Sequence, residues 1–554
     1  LHSFPTRRSS DLVGLSFLSL GKKDFRSLPT LPRSASFTAD FISHNFLTFP
    51  RFAMLEIVDF LNSIIWSPVL VGLCLCAGLL FSIRTRFVQL RMIPEMWRLL
   101  FQKKEDEIGL SSFQALSLTL AGRVGTGNIA GVATAICYGG PGALFWMWMM
   151  AILGASSAFV ESTLGQVYKE RIEGQYRGGP AFYIERGLRN KWFAWAFSII
   201  TILASVFFCP GVQSNSIAAA WYEAFEVPHV VTATIIGSIL CFVIVGGLRR
   251  ISQFSSIVVP FMAQAYIIVA LVVVGLNYQQ IPAVISLIFS SAFGADSLTG
   301  GMLGVAISWG VRRGIYSNEA GQGTAPHASS AAAVSHPTKQ GLVQAFSIYI
   351  DTLFVCSATG FMILMTGMYN VVGENGQTIV NHIPGVDAGP VYTQMAINAV
   401  MPGWGSPFIG LAIFFFAFTT ILGYYYMAET NVAYLNRYLK KPMLMTICKA
   451  VFIVTVTFGA IRSSTLIWSM ADVGVGLMAW CNIIAIFLLQ GIAIKALKDY
   501  EAQKAKGLNP VFHPEALGIP YAGYWEGSRA EANLAIEEES GVDNLSGLDS
   551  KNPE

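Results

Sequence analysis

The chain has 554 residues, of which 53% are hydrophobic and only 12% are charged, and its formal net charge is +3. One water-soluble core cannot bury so large an apolar fraction, so the composition excludes an ordinary soluble protein and predicts a lipid environment. The small net charge, without a basic and aromatic-rich surface, also argues against nucleic acid as a partner.

The first 53 residues differ from the rest of the chain. Residues 2–12, HSFPTRRSSDL, resemble the conceptual translation of a sequencing-adapter oligonucleotide, and the stretch that follows has no periodicity and no signal-peptide pattern. We therefore expect residues 1–53 to be a non-native extension, with Met54 as the more natural start. A genuine disordered N-terminal arm is the alternative.

Runs of about 20 apolar residues, the length that crosses a bilayer, predict the transmembrane helices. Six of them lie near residues 60–83, 113–137, 143–168, 193–216, 230–248 and 255–276. Five more lie near residues 300–316, 342–368, 406–428, 443–461 and 466–494. The shorter run at 281–294 is typical of an interfacial or re-entrant helix. The sequence thus predicts an all-α membrane protein with eleven transmembrane helices.

Lysine and arginine collect in alternate loops, as the positive-inside rule requires. The basic loops follow the first, third, fifth, ninth and eleventh spans, and the loops between them are nearly free of both residues. We therefore expect a protein of the inner (plasma) membrane with its N-terminus outside and its C-terminus in the cytoplasm. Residues 54–110 would be the first helix with a basic cytoplasmic loop. Residues 498–554, polar and acidic, would be a disordered cytoplasmic tail.

An eight-residue pattern, NxAGxxTA, occurs twice, beginning at Asn128 and at Asn318, and each copy follows an arginine by five residues. The two copies are 190 residues apart, and the same offset separates two rare intramembrane acids, Glu161 and Asp351. Each copy opens a set of five predicted spans. Since five crossings return the chain to the opposite side of the membrane, the two sets must be inverted relative to each other.

The repeat therefore divides the membrane part of the chain into two units and leaves one extra N-terminal helix. The first five-helix unit covers residues 111–280, and the second covers residues 281–497 with the interfacial helix before it. Inverted repeats of this kind are found in many secondary transporters.

The segment 121–131, AGRVGTGNIAG, places four glycines and Asn128 within an apolar span. Each glycine costs about 1 kcal/mol relative to alanine in a helix interior, so the segment favours a helix break. A break at membrane depth frees backbone groups, which commonly bind an ion and an anionic ligand. Close helix packing through small residues is the alternative, and we favour the break because of the polar Thr126 and Asn128.

Two long blocks carry a resemblance to a known family. GRVGTGNIAGVATAICYGGPGALFWMW and RRGIYSNEAGQGTAPHASSAA are similar to the alanine or glycine:cation symporter family of sodium-coupled amino-acid carriers, and the resemblance extends over about residues 55–495. It implies the inverted five-plus-five fold of the leucine transporter type, with one additional first helix.

The resemblance also implies which residues bind the substrate and the ion. The backbone N–H groups of Thr126 and Gly127 would bind the substrate carboxylate, and Asn128 would cap the broken helix or contribute an oxygen. The carbonyl groups of Ala121 and Val124 would face a sodium ion.

Two intramembrane threonines, Thr419 and Thr420, would complete the sodium shell, although hydrogen bonding to their own helix is the alternative. The second discontinuity is expected in the segment SWGVRRGIYSNEAGQG of span seven, residues 308–323, with Ser308 and Gly310 approaching the substrate. Gln213, at membrane depth, would bind polar groups of the substrate or make an interhelical hydrogen bond.

Several other charged residues lie in apolar surroundings. Arg312, Arg313 and Glu319 would form a gate ion pair or, as we slightly favour, mark the cytoplasmic end of span seven. The acids Glu161, Asp351 and Glu429 are candidates for function or for pairing with basic residues.

The predicted function is symport of a small neutral amino acid, alanine or glycine, with Na+ as the co-transported ion and no resident cofactor. Proton coupling through Glu161 and Asp351 is one alternative, and an ion or small-solute channel is another. An enzyme is not expected, because no nucleophile arrangement or metal-ligand spacing is present. One methyl group is worth only about 1–3 kcal/mol in a pocket, so glycine, L-alanine and D-alanine all stay candidates. The sequence carries no sign of an oligomeric state.

Overall fold

The computed structural model describes residues 55–102, 106, 108–295, 302–373, 375–461 and 464–526, apart from the side chains of residues 464 and 465. The expected N-terminal extension, residues 1–53, and residues 527–554 of the expected tail lie outside the described residues.

Helices make up most of the described chain. Those of its first half are α1 (Leu55–Ile65), α2 (Pro68–Arg84), α3 (Val88–Arg91), α4 (Ile93–Leu100), α5 (Ser112–Arg123), α6 (Val132–Gly139), α7 (Ala143–Val167), α8 (Pro180–Gly187), α9 (Lys191–Ile202), α10 (Cys209–Phe225), α11 (His229–Ile244) and α12 (Gly247–Leu276). Those of its second half are α13 (Ile281–Ala292), α14 (Leu303–Asn318), α15 (Ala325–Ser330), α16 (Pro337–Ile348), α17 (Ser357–Thr366), α18 (Pro390–Val400), α19 (Gly405–Leu439), α20 (Met443–Gly459), α21 (Ser464–Ala505) and α22 (Gly523–Glu526).

Wider π-helical segments occur at three places in the described chain: Gly127–Gly131, Leu203–Phe208 and Tyr349–Cys356. The second of them precedes Pro210, which has no N–H group and so leaves a carbonyl of the preceding turn without its helical donor. The third contains Asp351. Segments of this type interrupt the regular ladder of hydrogen bonds and often lie at functional sites.

Several of these helices can cross a membrane. Six helical stretches within the described residues are long and apolar enough: Ala143–Val167, Lys191–Phe225, Gly247–Leu276, Pro337–Thr366, Gly405–Leu439 and Leu466–Ala505. The pair α1 and α2, bent by 40°, would make a seventh, and α11 and α20 are shorter apolar helices. The protein is therefore a multi-pass membrane protein. Each of the eleven predicted spans has helical structure at its position, but the number of crossings stays a prediction because some of the helices are short or broken.

Two short β-hairpins add to the helical fold. Strand β1 (Glu170–Ile172) pairs with β2 (Gln175–Arg177), and the two residues between them, Glu173 and Gly174, both have positive φ (51° and 76°). Such a turn matches the twist of the strands. Strand β3 (Asn370–Val372) pairs with β4 (Thr378–Asn381), with an irregularity after Val371.

The expected disordered tail is wrong for residues 498–526. Helix α21 continues to Ala505, and both Phe512 and Trp525 are buried. The Phe512 N–H donates to the Ser335 carbonyl at 3.0 Å, and Trp525 Nε1 donates to the Gln166 carbonyl at 3.0 Å. Because these large aromatic side chains bury much apolar surface, they hold an otherwise polar segment against the helices.

Candidate functional site

The first helix break lies between α5 and the π segment that follows it. Helix α5 ends where Val124 leaves the helical region, with a ψ of 84°. The Gly125 N–H donates to Asn128 Oδ1 at 2.9 Å, whereas in a continuous helix it would donate to the carbonyl of Ala121. Asn128 therefore caps the break, and the Ala121 carbonyl loses its usual donor.

Helix α19 packs directly on this break, because a Cβ added at Gly125 would overlap Thr420 Oγ1. Thr419 Oγ1 donates to the carbonyls of Phe415 and Phe416, each at 2.9 Å, and Thr420 Oγ1 donates to Phe416, also at 2.9 Å. Both threonines thus make the hydrogen bonds to their own helix that the sequence analysis raised as an alternative. These bonds use the hydroxyl protons, so the oxygen lone pairs can still accept a cation.

Three of the predicted substrate residues, Thr126, Gly127 and Gln213, lie together at the break. The Thr126 N–H donates to Gln213 Oε1 at 3.1 Å, so Gln213 makes an interhelical bond to the broken backbone. A Cβ added at Gly127 would lie 3.2 Å from Ser317 Cα and 3.3 Å from Tyr316 Cδ1. Both Thr126 Oγ1 and the Tyr316 hydroxyl are buried without a hydrogen-bond partner among the described residues. Buried polar atoms of this kind usually have a ligand or water as partner.

The sequence reasoning missed Tyr316 and Ser317, although a signal for them was present. They precede Asn318 as Thr126 and Gly127 precede Asn128, so the 190-residue offset of the repeat leads directly to them. The two equivalent dipeptides contact each other in the structure.

The second helix break follows α14, which ends at Asn318. Glu319, Gly321 and Gly323 have φ values of 56°, 76° and 88°. A left-handed conformation at three of five consecutive residues cannot continue a right-handed helix. The chain therefore unwinds over residues 319–324 before α15 begins.

The second break lies within the predicted segment, residues 308–323, but not at Ser308 and Gly310, the two residues expected to approach the substrate. Both residues lie inside the continuous helix α14, more than one turn before its end. A Cβ added at Gly310 would lie 2.5 Å from Trp146 Cβ and 2.6 Å from the Ala143 carbonyl oxygen, so this glycine allows α14 to pack closely on α7. Ser308 is half-buried on the same helix, and neither residue lies at the break.

The acid of the second half contacts the break of the first half. Asn128 Nδ2 donates to Asp351 Oδ1 at 2.6 Å. The hydroxyl groups of Ser317 and Thr352 donate to Asp351 Oδ2 at 3.0 Å and 2.7 Å. Asp351 is fully buried, and these donors replace the hydration that burial removes.

The acid of the first half contacts the break of the second half. Glu161 Oε2 accepts hydrogen bonds from the Gly323 N–H at 3.1 Å and from Asn482 Nδ2 at 2.7 Å. Its other oxygen is buried without a partner among the described residues. Each of the two equivalent acids thus binds the repeated motif of the opposite half.

Glu429 behaves differently from these two acids. Its Oε1 accepts a hydrogen bond from Arg177 Nη2 at 2.8 Å, and the arginine side chain is only 2% exposed. Pairing with a basic residue, the alternative raised by the sequence, is therefore what the structure contains.

Arg312 and Arg313 do not mark the end of span seven, because α14 continues to Asn318. Among the described residues, neither of them forms an ion pair with Glu319. Instead both bind Asp472 Oδ2 on α21, at 2.5 Å and 2.9 Å. The three side chains lie at a cavity of about 690 Å³, which reaches α6 at Thr134.

Comparison with known proteins shows which family the chain belongs to. The model of the sodium:alanine symporter family matches residues 52–514 of the chain. The chain belongs to this family. YrbD of Bacillus subtilis (strain 168) is 56% identical over 473 residues, a match that covers 85% of this chain and 98% of YrbD.

Two further relatives of the family have names that describe transport. The sodium/proton-dependent alanine carrier protein of Bacillus sp. (strain PS3) is 48% identical over 432 residues, which cover 78% of this chain and 97% of that protein. The sodium/alanine symporter AgcS of Methanococcus maripaludis is 35% identical over 462 residues, which cover 81% of this chain and 99% of AgcS.

Proposed function

We propose that this protein is a sodium-coupled symporter of a small neutral amino acid, alanine or glycine. The observation that carries the proposal is the meeting of two broken helices, where Gly127 lies against Tyr316 and Ser317 beside the threonines of α19. Membership of the sodium:alanine symporter family and the names of two relatives support the same substrates.

The sodium ion would lie between the first break and α19. The carbonyl oxygens of Ala121 and Val124 and the hydroxyl oxygens of Thr419 and Thr420 would bind it. All four ligands are neutral oxygens, which suit a hard cation, and no nitrogen or sulfur is needed. The loss of the Gly125 hydrogen bond to Ala121 supports this assignment.

The amino acid would bind on the Tyr316 side of the same break. Its carboxylate would accept hydrogen bonds from the N–H groups of Thr126 and Gly127. The carboxylate would thereby replace Gln213 Oε1 as the acceptor of the Thr126 N–H. Gln213 Oε1 would then be free to accept from the substrate ammonium group. The close approach of Gly127 to Tyr316 and Ser317 would favour a substrate with a small side chain.

Transport would proceed by alternating access between two inverted five-helix units, 111–280 and 281–497, with the extra helix before them. We infer that the N-terminus lies outside and the C-terminus in the cytoplasm, from the distribution of lysine and arginine. In that orientation the cavity at Arg312, Arg313 and Asp472 opens outward. The two units would rock about the sites at the breaks, and no covalent chemistry is required.

Uptake into proteoliposomes tests the proposal. Radiolabelled alanine should accumulate only when an inward sodium gradient is imposed, and unlabelled glycine should compete. Equal uptake with and without that gradient would contradict sodium coupling.

Proton coupling is the second candidate, and the unpartnered Oε1 of Glu161 is the observation that favours it. An acid held without a cationic partner at membrane depth can carry a proton. Uptake measured against pH at fixed sodium separates the two, because a proton-coupled carrier would respond to the pH gradient alone.

A further inference from the structure

A small cavity lies beside the last turns of α5. It is lined by α5, the second break, α15 and α19, and its volume of about 10 Å³ is enough for a single water molecule or a dehydrated sodium ion. Its polar lining comes from Thr119, Glu319, Thr324 and His327.

Glu319 supplies the charge in this cavity. The residue is 2% exposed, and within the described part of the chain its carboxylate accepts one side-chain hydrogen bond, from Thr324 Oγ1 to Oε2 at 2.7 Å. The same oxygen lies 3.4 Å from the position that a Cβ at Gly122 would occupy. Because Gly122 has no side chain, the carboxylate faces the α5 backbone directly, one residue from the Ala121 carbonyl.

His327 does not provide the balancing positive charge. Its Nδ1 bonds to the Thr324 carbonyl at 3.0 Å, which requires a proton on Nδ1. Its Nε2 faces Asn431 Nδ2 at 2.9 Å, and that amide nitrogen also donates to the Met427 carbonyl at 2.9 Å. An amide nitrogen can only donate, so Nε2 accepts and the imidazole is neutral.

The nearest buried cation is Arg123, which interacts electrostatically with three buried acids, Glu319, Glu161 and Asp351. Its Nη1 donates to Ser347 Oγ and to the Gln344 carbonyl, and no described carboxylate is among its hydrogen-bond partners. If all three carboxylates are ionised, this group lacks two positive charges. Uncompensated charge is costly in a low-dielectric interior, so the group takes up protons or cations.

Among the three acids, Glu319 is the best placed to take a cation. Asp351 accepts from three side chains and Glu161 from two donors, whereas Glu319 has only Thr324 and borders the cavity. An ion entering this cavity would meet a carboxylate whose charge is the least compensated by hydrogen bonds.

We propose that this cavity is a second sodium site, occupied together with the site at Thr419 and Thr420, so that two sodium ions bind per protein. Glu319 would be its charged ligand, and the hydroxyl oxygens of Thr324 and Thr119 would be neutral ligands. Thr119 donates its proton to the Ala115 carbonyl at 3.0 Å and so keeps its lone pairs for a cation. This inference rests on the proposed sodium coupling and adds its stoichiometry.

Equilibrium binding of 22Na+ to the purified, full-length protein, together with the sodium dependence of alanine uptake, tests the second site. The wild type should bind about two ions with a Hill coefficient above one, and Glu319→Gln should bind about one with a Hill coefficient near one. Glu95→Gln is the matched control, because it also removes one carboxylate, which pairs with Arg98 and does not line this cavity, and it should leave about two ions bound.

A second variant keeps the test decisive if Glu319→Gln does not fold. In Gly122→Ala the new methyl group would make ordinary contacts, 3.4 Å from Glu319 Oε2 and 3.8 Å from Met427 Cε, while it covers the carboxylate. It should also reduce the bound sodium from about two ions to about one.

The possible failures are distinguishable. One ion bound by the wild type, or two ions bound by both the Glu319→Gln and Gly122→Ala variants, overturns the second site and leaves sodium coupling intact. A wild type that binds no sodium and transports without it overturns the proposed function as well.

Discussion

Replacing Gly125 with alanine perturbs the proposed sodium site with a single methyl group. The new Cβ would overlap Thr420 Oγ1 and would lie 3.1 Å from Gln213 Oε1 and 3.2 Å from Thr420 Cβ. Thr420 cannot withdraw freely, because its hydroxyl is bonded to the Phe416 carbonyl within α19. Overpacking of this kind costs about 1–3 kcal/mol. If that cost falls on the sodium-bound state, the apparent sodium affinity should fall by about 5- to 150-fold.

The assay is the sodium concentration that gives half-maximal alanine uptake in proteoliposomes. Gly131→Ala is the matched control, because its Cβ would meet only Thr126 O at 3.9 Å although it lies in the same broken segment. The double variant with Thr420→Ala relieves the overlap but removes an ion ligand. It should therefore regain thermal stability without regaining sodium affinity.

An unchanged sodium midpoint in folded Gly125→Ala would refute the reasoning, since the methyl group could not then lie between the break and a bound ion. Recovery of full sodium affinity in the double variant would refute the role of the Thr420 oxygen.

Three further predictions concern stability, each measured by thermal unfolding in detergent. Glu429→Gln leaves the Arg177 guanidinium buried without a carboxylate and should destabilise the protein by about 3 kcal/mol. The double variant Glu429→Gln with Arg177→Met should recover much of that loss. Failure of the double variant to recover stability would contradict the ion pair. Trp525→Ala should cost about 3–5 kcal/mol, because the side chain is 2% exposed, and an unchanged melting temperature would mean that the C-terminal segment does not pack. Burial raises the pKa of Glu95, but the hydrogen bond from Arg98 contributes to a net lowering below the ordinary value of 4.5. The contribution of Glu95 to the stability of the fold is therefore present above pH 4.5 and is lost as the pH falls. Glu95→Gln should flatten the acid limb of the stability profile, and an identical limb would contradict this.

The positions of most helices could be predicted from the sequence, because apolar runs of membrane length and the alternation of basic loops are local signals. The first break could be predicted for the same reason, since four glycines and an asparagine lie within eleven residues. The family membership shown by the matching model confirms the resemblance carried by the two motif blocks.

The second break could be predicted within residues 308–323, but its position inside that segment could not be found by counting small residues. Gly310 looks like part of a break in the sequence, but it permits close packing on α7, while the chain unwinds at Glu319, a residue rarely chosen for a left-handed conformation. Local composition does not distinguish a glycine needed for packing from one needed for unwinding.

Long-range contacts were also beyond sequence reasoning. Arg312 and Arg313 find their partner Asp472 some 160 residues away, and the polar C-terminal segment is ordered by two aromatic side chains that meet distant helices. Such pairings depend on the assembled fold and leave no pattern near either residue.

The exchange of hydrogen bonds between the two halves has a consequence for how the molecule moves. The Asn128 side-chain amide donates a hydrogen bond to Asp351 of the opposite half, and Glu161 accepts one from the Gly323 N–H of the opposite half. Displacing either unwound segment alone would remove a hydrogen bond from a carboxylate of the opposite half. Under the proposed function, binding of the cation and binding of the amino acid would therefore be coupled.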